Sequence, residues 1–166
     1  IIVPMVNTKA DAELAVQMTK YPPMGFRGVG LARAQGYGVH FDEYVNCANA
    51  DTLLLLQIEH IDAVINLEDI FSVPGIDGII VGPYDLSASM GYPGEYDRPD
   101  VQAALLKIDE VAKKLDKPLG FHVIDSCYQK TLEKINKGYS FLALSLDFFF
   151  LGDKAREEMK LLKSKL

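Results

Sequence analysis

The sequence predicts an α/β fold with a parallel sheet, and three observations carry that prediction. Short apolar segments recur at residues 1–6, 53–58, 78–82, 119–124 and 141–146. They are apolar throughout rather than alternating, which marks strands covered on both faces. Amphipathic segments long enough for helices separate them, so that a strand is followed by a helix about five times. The 166 residues, 49% apolar and 24% charged, suit one globular domain over residues 1–166.

The elements follow in chain order. Residues 1–6 open the chain as a strand, with no initiator Met and no polar lead-in, so cleavage or a longer parent chain is expected. A helix over 8–20 follows, with Thr8 as N-cap, Asp11 in its first turn and Ala12, Ala15, Val16 and Thr19 on one face. Tyr21-Pro22-Pro23 ends it, and a long loop with Gly25, Gly28, Gly30, Gly36 and Gly38 comes next. Residues 41–49 read as a short helix, 53–58 as the second strand and 60–70 as a helix. The third strand, 78–82, ends at Pro83, and 84–100 reads as loop. A long helix over 101–115 leads to the fourth strand, 119–124. The helix over 126–137 stops at Gly138, the fifth strand covers 141–146, and Asp147 caps a last helix running to about Lys163.

Two architectures fit this pattern: an open doubly wound sheet, or part of a (β/α)8 barrel. A barrel of about 250 residues uses roughly 31 per unit, so this chain supplies about five units of eight. Five strands cannot close, and the strands at 1–6 and 141–146 are left as edges needing a partner.

Composition excludes several functions. The net charge of −6 opposes nucleic acid or anionic lipid as a partner. The densest apolar run, 141–151, is interrupted by Asp147 and falls short of the roughly 20 residues of a membrane span. Cys47 and Cys127 cannot build a disulfide framework, so a cytoplasmic location is expected. The segment Gly28-Val29-Gly30-Leu31-Ala32-Arg33 has Arg where a dinucleotide fingerprint needs its third Gly, and it follows Pro-Pro rather than a strand. Arg27 and Arg33 read as anion contacts or as parts of a solvated loop.

Sites in parallel α/β folds lie at the carboxyl ends of the strands. Here those ends are Gln57-Ile58-Glu59, Gly82-Pro83-Tyr84-Asp85, His122-Val123-Ile124-Asp125 and Ser145-Leu146-Asp147. Several carboxylates on one rim repel unless a cation lies between them, and oxygen ligands favour Mg²⁺ or Mn²⁺. No Lys occurs in a strand or at a strand end, so a Schiff-base mechanism lacks its nucleophile. Each carboxylate also has a plainer reading: Glu59 as a first-turn helix acid, Asp85 as a turn cap, Asp125 and Asp147 as helix caps. His122 reads as a hydrogen-bonded core residue, and His40 and His60 as surface residues.

Four strings carry a family resemblance: Val3-Pro4-Met5-Val6-Asn7, residues 21–30 (YPPMGFRGVG), Gln57-Ile58-Glu59, and Gly82-Pro83-Tyr84-Asp85-Leu86-Ser87. Together they resemble the HpcH/HpaI aldolases, class II metal-dependent pyruvate aldolases. The resemblance implies a (β/α)8 TIM barrel in which Glu59 and Asp85 hold a divalent ion (Mg²⁺, Mn²⁺ or Co²⁺). It implies that Gln57 and the main chain at Tyr84 and Asp85 contact the pyruvate part of the substrate. Cleavage of a 4-hydroxy-2-oxo acid leaves a pyruvate enolate, whose charge a chelated metal stabilises as a Lewis acid. The family's catalytic His and essential Arg lie upstream of Ile1, so the chain corresponds to the C-terminal two-thirds of such an enzyme. The family also implies trimers or hexamers with exchanged C-terminal helices, which would give the apolar stretch 148–151 a partner. Two further readings stand beside an aldolase: a malyl- or citramalyl-CoA type lyase, and a non-catalytic fragment that binds metal or pyruvate.

Overall fold

The computed structural model describes residues 1–166. Five strands form one sheet: β1 (Ile2–Val3), β2 (Leu55–Ile58), β3 (Gly78–Val81), β4 (Leu119–Val123) and β5 (Phe141–Leu144). Their spatial order is β1-β2-β3-β4-β5, and every adjacent pair is parallel. A doubly wound sheet reverses its strand order at a switch point. This sheet does not reverse, so its wall is that of a barrel with five of its staves. The connections run through α1 (Lys9–Thr19) and α2 (Phe41–Asp51), then α3 (Ile61–Ile65) and α4 (Leu67–Phe71). After β3 come α5 (Pro83–Ser89) and α6 (Pro99–Lys114), after β4 comes α7 (Tyr128–Asn136), and α8 (Asp147–Lys163) ends the chain. No helix is long and apolar enough to cross a membrane.

The register divides the strand residues between two faces. Leu56, Ile79 and Leu119 pair across β2, β3 and β4, as do Ile58, Val81 and Phe121. This face is the dry one: Leu56, Ile58, Ile79 and Val81 are buried against Ala12, Val64, Leu67, Ile70 and Ile108 from the helices. Each such aliphatic side chain contributes about 1.5–3 kcal/mol by leaving water. The opposite face carries Gln57, Ile80 and Gly120 at one level, with His122 beside Ala143 two residues further on. Sheet periodicity therefore sends the polar residues of the strands to the face away from the helices.

Several elements differ from the sequence reading. The first strand is a two-residue edge with Ile2 exposed, not a six-residue strand covered on both faces. Pro4 has no N–H to donate to a ladder, and Met5 adopts φ 54°, so the extended run ends after Val3. The helix over 60–70 is two helices broken at Asn66, whose amide donates to the Asn7 carbonyl at 2.9 Å. His60 is half-buried and accepts at Nδ1 from the Asp62 N–H, capping α3. The segment 84–100 contains α5, which Pro83 starts from the first helical position, where its missing N–H costs nothing. Asp147 is the first helical residue of α8 rather than its cap, because Leu146 occupies that position. Asp125 caps nothing, since α7 begins at Tyr128.

The N-terminus of α1 agrees with its sequence. Thr8 Oγ1 accepts from the Asp11 N–H at 3.2 Å, and Asp11 Oδ2 accepts from the Thr8 N–H at 2.9 Å, a reciprocal capping box. Hydrogen bonding to Thr8 and to the Asn7 backbone lowers the Asp11 pKa below the ordinary carboxylate value. A depressed acid adds stability that is complete above its unfolded pKa and lost as the pH falls through the folded one. Thr8→Ala should cost about 1 kcal/mol in urea denaturation at neutral pH, and less once acid has protonated Asp11.

Candidate active site

The carboxyl ends of β2 and β3 bring the predicted residues to one rim. Glu59 follows β2 by one residue and is 4% exposed. Its Oε1 accepts from the Met5 N–H at 2.9 Å, and its Oε2 accepts from Gln57 Nε2 at 2.5 Å. Its recorded partners are these two N–H groups, and no salt bridge reaches it. A carboxylate has about four acceptor positions, and a buried one is costly unless a cation or further donors complete its shell. This donor chemistry fits a divalent ion.

Gly82, between β3 and α5, makes that arrangement possible. A Cβ at Gly82 would lie 2.8 Å from Glu59 Oε2, 2.9 Å from Glu59 Cβ and 3.1 Å from Gln57 Nε2. Only glycine leaves both side chains where they are. Gly82→Ala should keep the far-UV circular dichroism of the fold yet weaken divalent-ion binding at least tenfold by calorimetry, because the methyl group displaces the Glu59 carboxylate.

A cavity of about 250 Å³ opens in front of this pair. Gln57, Gly82, Tyr84 and Asp85 line it, together with Tyr96 and His122. Glu59 is not part of the lining; it lies behind, hydrogen-bonded to Gln57. Asp85 is exposed in the first turn of α5, and its carboxylate makes no hydrogen bond to protein, so it does not cap a turn. The first bond within α5 runs from the Leu86 N–H to the Gly82 carbonyl, which leaves the Tyr84 and Asp85 N–H groups without intrahelical partners. No group of three or more His, Cys, Asp or Glu side chains comes together as a ligand cage. An ion here would draw on the two carboxylates and take its other ligands from water or substrate, the usual habit of Mg²⁺.

The other strand-end residues fall elsewhere. Asp125 lines a neighbouring cavity of about 340 Å³ with Lys130 and Lys134. Lys134 packs its ammonium over the Phe121 ring at 3.4 Å, and burial followed by the Lys137 charge pushes its pKa down to about 8. Arg27 stacks on Tyr21 at 4.7 Å. His122 is half-buried rather than a core residue, and its Nε2 lies 3.4 Å from the Ser145 carbonyl. Tyr96 sits in the loop between α5 and α6, tied down by Gln102 Nε2 donating to its carbonyl at 2.7 Å. Burial, then Tyr84, Asp85 and Asp125, raises the Tyr96 pKa, so the phenol remains an O–H donor. The roles of Gly82, Tyr96 and His122 were missed from sequence, although the Gly-Pro break after the third strand hinted at the first.

Comparison with known proteins agrees with this layout. Residues 1–151 match the family model described as HpcH/HpaI aldolase/citrate lyase. The chain is 40% identical over 153 residues to a hydroxypyruvate/pyruvate aldolase of Roseobacter denitrificans, covering 91% of this chain and 59% of that protein. It is 36% identical over 166 residues to a 2-keto-3-deoxy-L-rhamnonate aldolase of Klebsiella pneumoniae, covering 99% of this chain and 61% of that one. The chain thus spans about three-fifths of the length of these curated relatives. Among solved structures, an HpcH/HpaI aldolase/citrate lyase family protein from Burkholderia cenocepacia superposes with a TM-score of 0.89 at 30% identity, covering 98% of this chain and 64% of that one. An HpcH/HpaI aldolase from Desulfitobacterium hafniense superposes at 0.84 with 28% identity, covering 98% and 62% respectively. The parallel barrel wall and the match over residues 1–151 have the same source: this chain belongs to the HpcH/HpaI aldolase/citrate lyase family.

Proposed function

We propose that the protein is a metal-dependent aldolase that cleaves a 4-hydroxy-2-oxo acid to pyruvate and an aldehyde and catalyses the reverse addition. The observation that carries this reading is the buried Glu59 carboxylate, with two N–H donors and no cationic side chain, beside a cavity that also exposes Asp85. Glu59 and Asp85 are the metal ligands. A bound Mg²⁺, Mn²⁺ or Co²⁺ supplies Lewis acidity toward the 2-oxo group and the negative charge that grows on it.

The chain's own residues do the rest. Gln57 fixes the Glu59 carboxylate through one N–H of its amide and keeps the second N–H for the oxo-acid end of the substrate. The Tyr84 and Asp85 N–H groups, which have no partner within the helix, donate hydrogen bonds to the substrate carboxylate. Breaking the C3–C4 bond leaves its electron pair on the pyruvate fragment, while the C4 hydroxyl gives up its proton and becomes the aldehyde. C3 then takes a proton to become the methyl group. None of His40, His60 and His122 has the setting of the family's proton-transfer histidine, so that step belongs to the upstream histidine and arginine of the complete protein. Related names, hydroxypyruvate/pyruvate aldolase and 2-keto-3-deoxy-L-rhamnonate aldolase, support the same substrate class. The free thiols of Cys47 and Cys127 suit the reducing cytoplasm.

Assembly belongs to the same proposal. No residue of α8 is buried; Phe148 is 60% and Leu151 76% exposed, an apolar stripe that a neighbouring subunit would cover in a trimer or hexamer with exchanged α8 helices. Leu151→Asp should shift the sedimentation coefficient of the complete protein toward that of a monomer.

The decisive measurement is Mn²⁺ titration of Glu59→Gln by calorimetry. Loss of binding with unchanged circular dichroism is expected, and full retained affinity would falsify the ligand assignment. Exchange of pyruvate methyl protons with deuterium tests the enzyme itself. The complete protein with metal should exchange them, and metal binding without exchange would leave a non-catalytic binding protein.

A further inference from the structure

One amine stands on the helix side of the sheet, across it from the proposed metal site and without a part in that chemistry. Lys134, on α7, places its Nζ 3.4 Å from the centroid of the Phe121 ring and 5.1 Å from that of Tyr139. Phe121 belongs to the dry row of β4, paired with Val81, and is buried in the core. The two rings meet edge to face with centroids 5.5 Å apart, and the Tyr139 hydroxyl donates to Asp109 on α6. Lys134 is half-buried over this pair, and no carboxylate lies within salt-bridge distance of its Nζ.

Ring faces attract a cation, but they do not replace the hydrogen-bond acceptors that an ammonium loses on leaving water. The neutral amine is favoured as a result. Burial, followed by the Lys137 charge, brings the Lys134 pKa down to about 8. Lys130 pushes the same way, while Asp109 and Glu133 oppose it. The amine opens on the cavity of about 340 Å³ between α6, β4 and α7, which Lys130 and Lys137 also line. The three lysines are four and three residues apart, so they form one stripe along α7. Asp97 and Asp125 border the cavity from the loops above the sheet, whereas the charges acting on Lys134 come from α6 and α7. A nucleophilic amine between two cations matches an acyl donor whose leaving group is an anion.

We propose that Lys134 is an acylation site for acyl phosphates, with Lys130 and Lys137 holding the phosphate while the Lys134 amine attacks the acyl carbon. The carbon–oxygen bond to phosphate breaks, its electron pair leaves on inorganic phosphate, and the nitrogen gives up one proton to solvent. The product is an uncharged amide whose N–H stays over the rings. This site is independent of the aldolase reading.

The test is acetylation of the complete protein by acetyl phosphate at pH 8, followed residue by residue by peptide mass spectrometry. At that pH about half of the Lys134 amines are neutral, against about 1 in 250 for an ordinary lysine. A less basic amine is also a weaker nucleophile, so Lys134 should react about tenfold faster than the exposed Lys9 and Lys163. The preference should vanish in urea. In the double variant Lys130→Gln, Lys137→Gln, the Lys134 rate with acetyl phosphate, divided by its rate with the uncharged N-hydroxysuccinimidyl acetate, should fall about threefold or more. That ratio cancels any change in the amine itself. A Lys134 rate no higher than those of Lys9 and Lys163 overturns the site, as does a preference that survives in urea. An unchanged ratio in the double variant overturns the phosphate-holding role and with it the choice of acyl phosphates.

Discussion

One buried charge organises the site. Glu59 has been taken out of water without a basic side chain to meet it. In real proteins that costs several kcal/mol, and two N–H bonds offset only part of it. The surrounding features answer to this constraint. Gly82 yields the volume the carboxylate occupies, and Gln57 holds it from the neighbouring inward position of β2. Met5, at the turn where β1 ends, reaches it with a main-chain N–H. Three separate stretches of chain thereby converge on one carboxylate and leave acceptor positions for the proposed cation.

The sheet divides its labour by face. Leu56, Ile58, Ile79 and Val81 on the helix side form a dry layer that holds the strands at fixed heights. The face away from the helices gives up that apolar contact and takes Gln57, His122 and the space of Gly82 and Gly120 instead. A shift of one residue in register would exchange the two sets, burying Gln57 under the helices and sending Ile58 to the rim. Core packing is therefore what keeps the chemistry on its own side.

How much of this the sequence disclosed follows from range. The four long apolar strands and the capped α1 rest on local patterns, and the structure agrees with them. The rule that sites lie at strand carboxyl ends gave Glu59 and Asp85 together with Asp125 and Asp147, the family resemblance singled out Gln57, Glu59 and Asp85, and the structure brings Gln57 and Glu59 into contact. What failed depends on context that local pattern lacks. Helix α5 has seven residues behind a Gly-Pro pair, which reads as a turn unless the missing Pro83 N–H is recognised as harmless at a helix start. The first strand looked doubly covered because Ile1, Ile2 and Val3 are apolar, yet an edge position leaves Ile2 exposed. His122 was read as core because it stands inside a strand. Only pairing partners reveal that it faces the same way as Gln57.

The two acidic groups differ in a way that bears on how such a site works. Glu59 is immobilised by two donors and excluded from the cavity lining, whereas Asp85 stands exposed at a helix start with no protein partner. A fixed carboxylate sets where an ion sits, at the entropic cost of a side chain already ordered in the free protein. A freer one can adjust as ligands exchange, which a site needs if substrate is to displace water and then leave. Substituting the two should therefore have unequal consequences. In the proposed metal site, loss of the Glu59 charge would remove the anchor, while loss at Asp85 would leave it in place and loosen the ion's hold on that side.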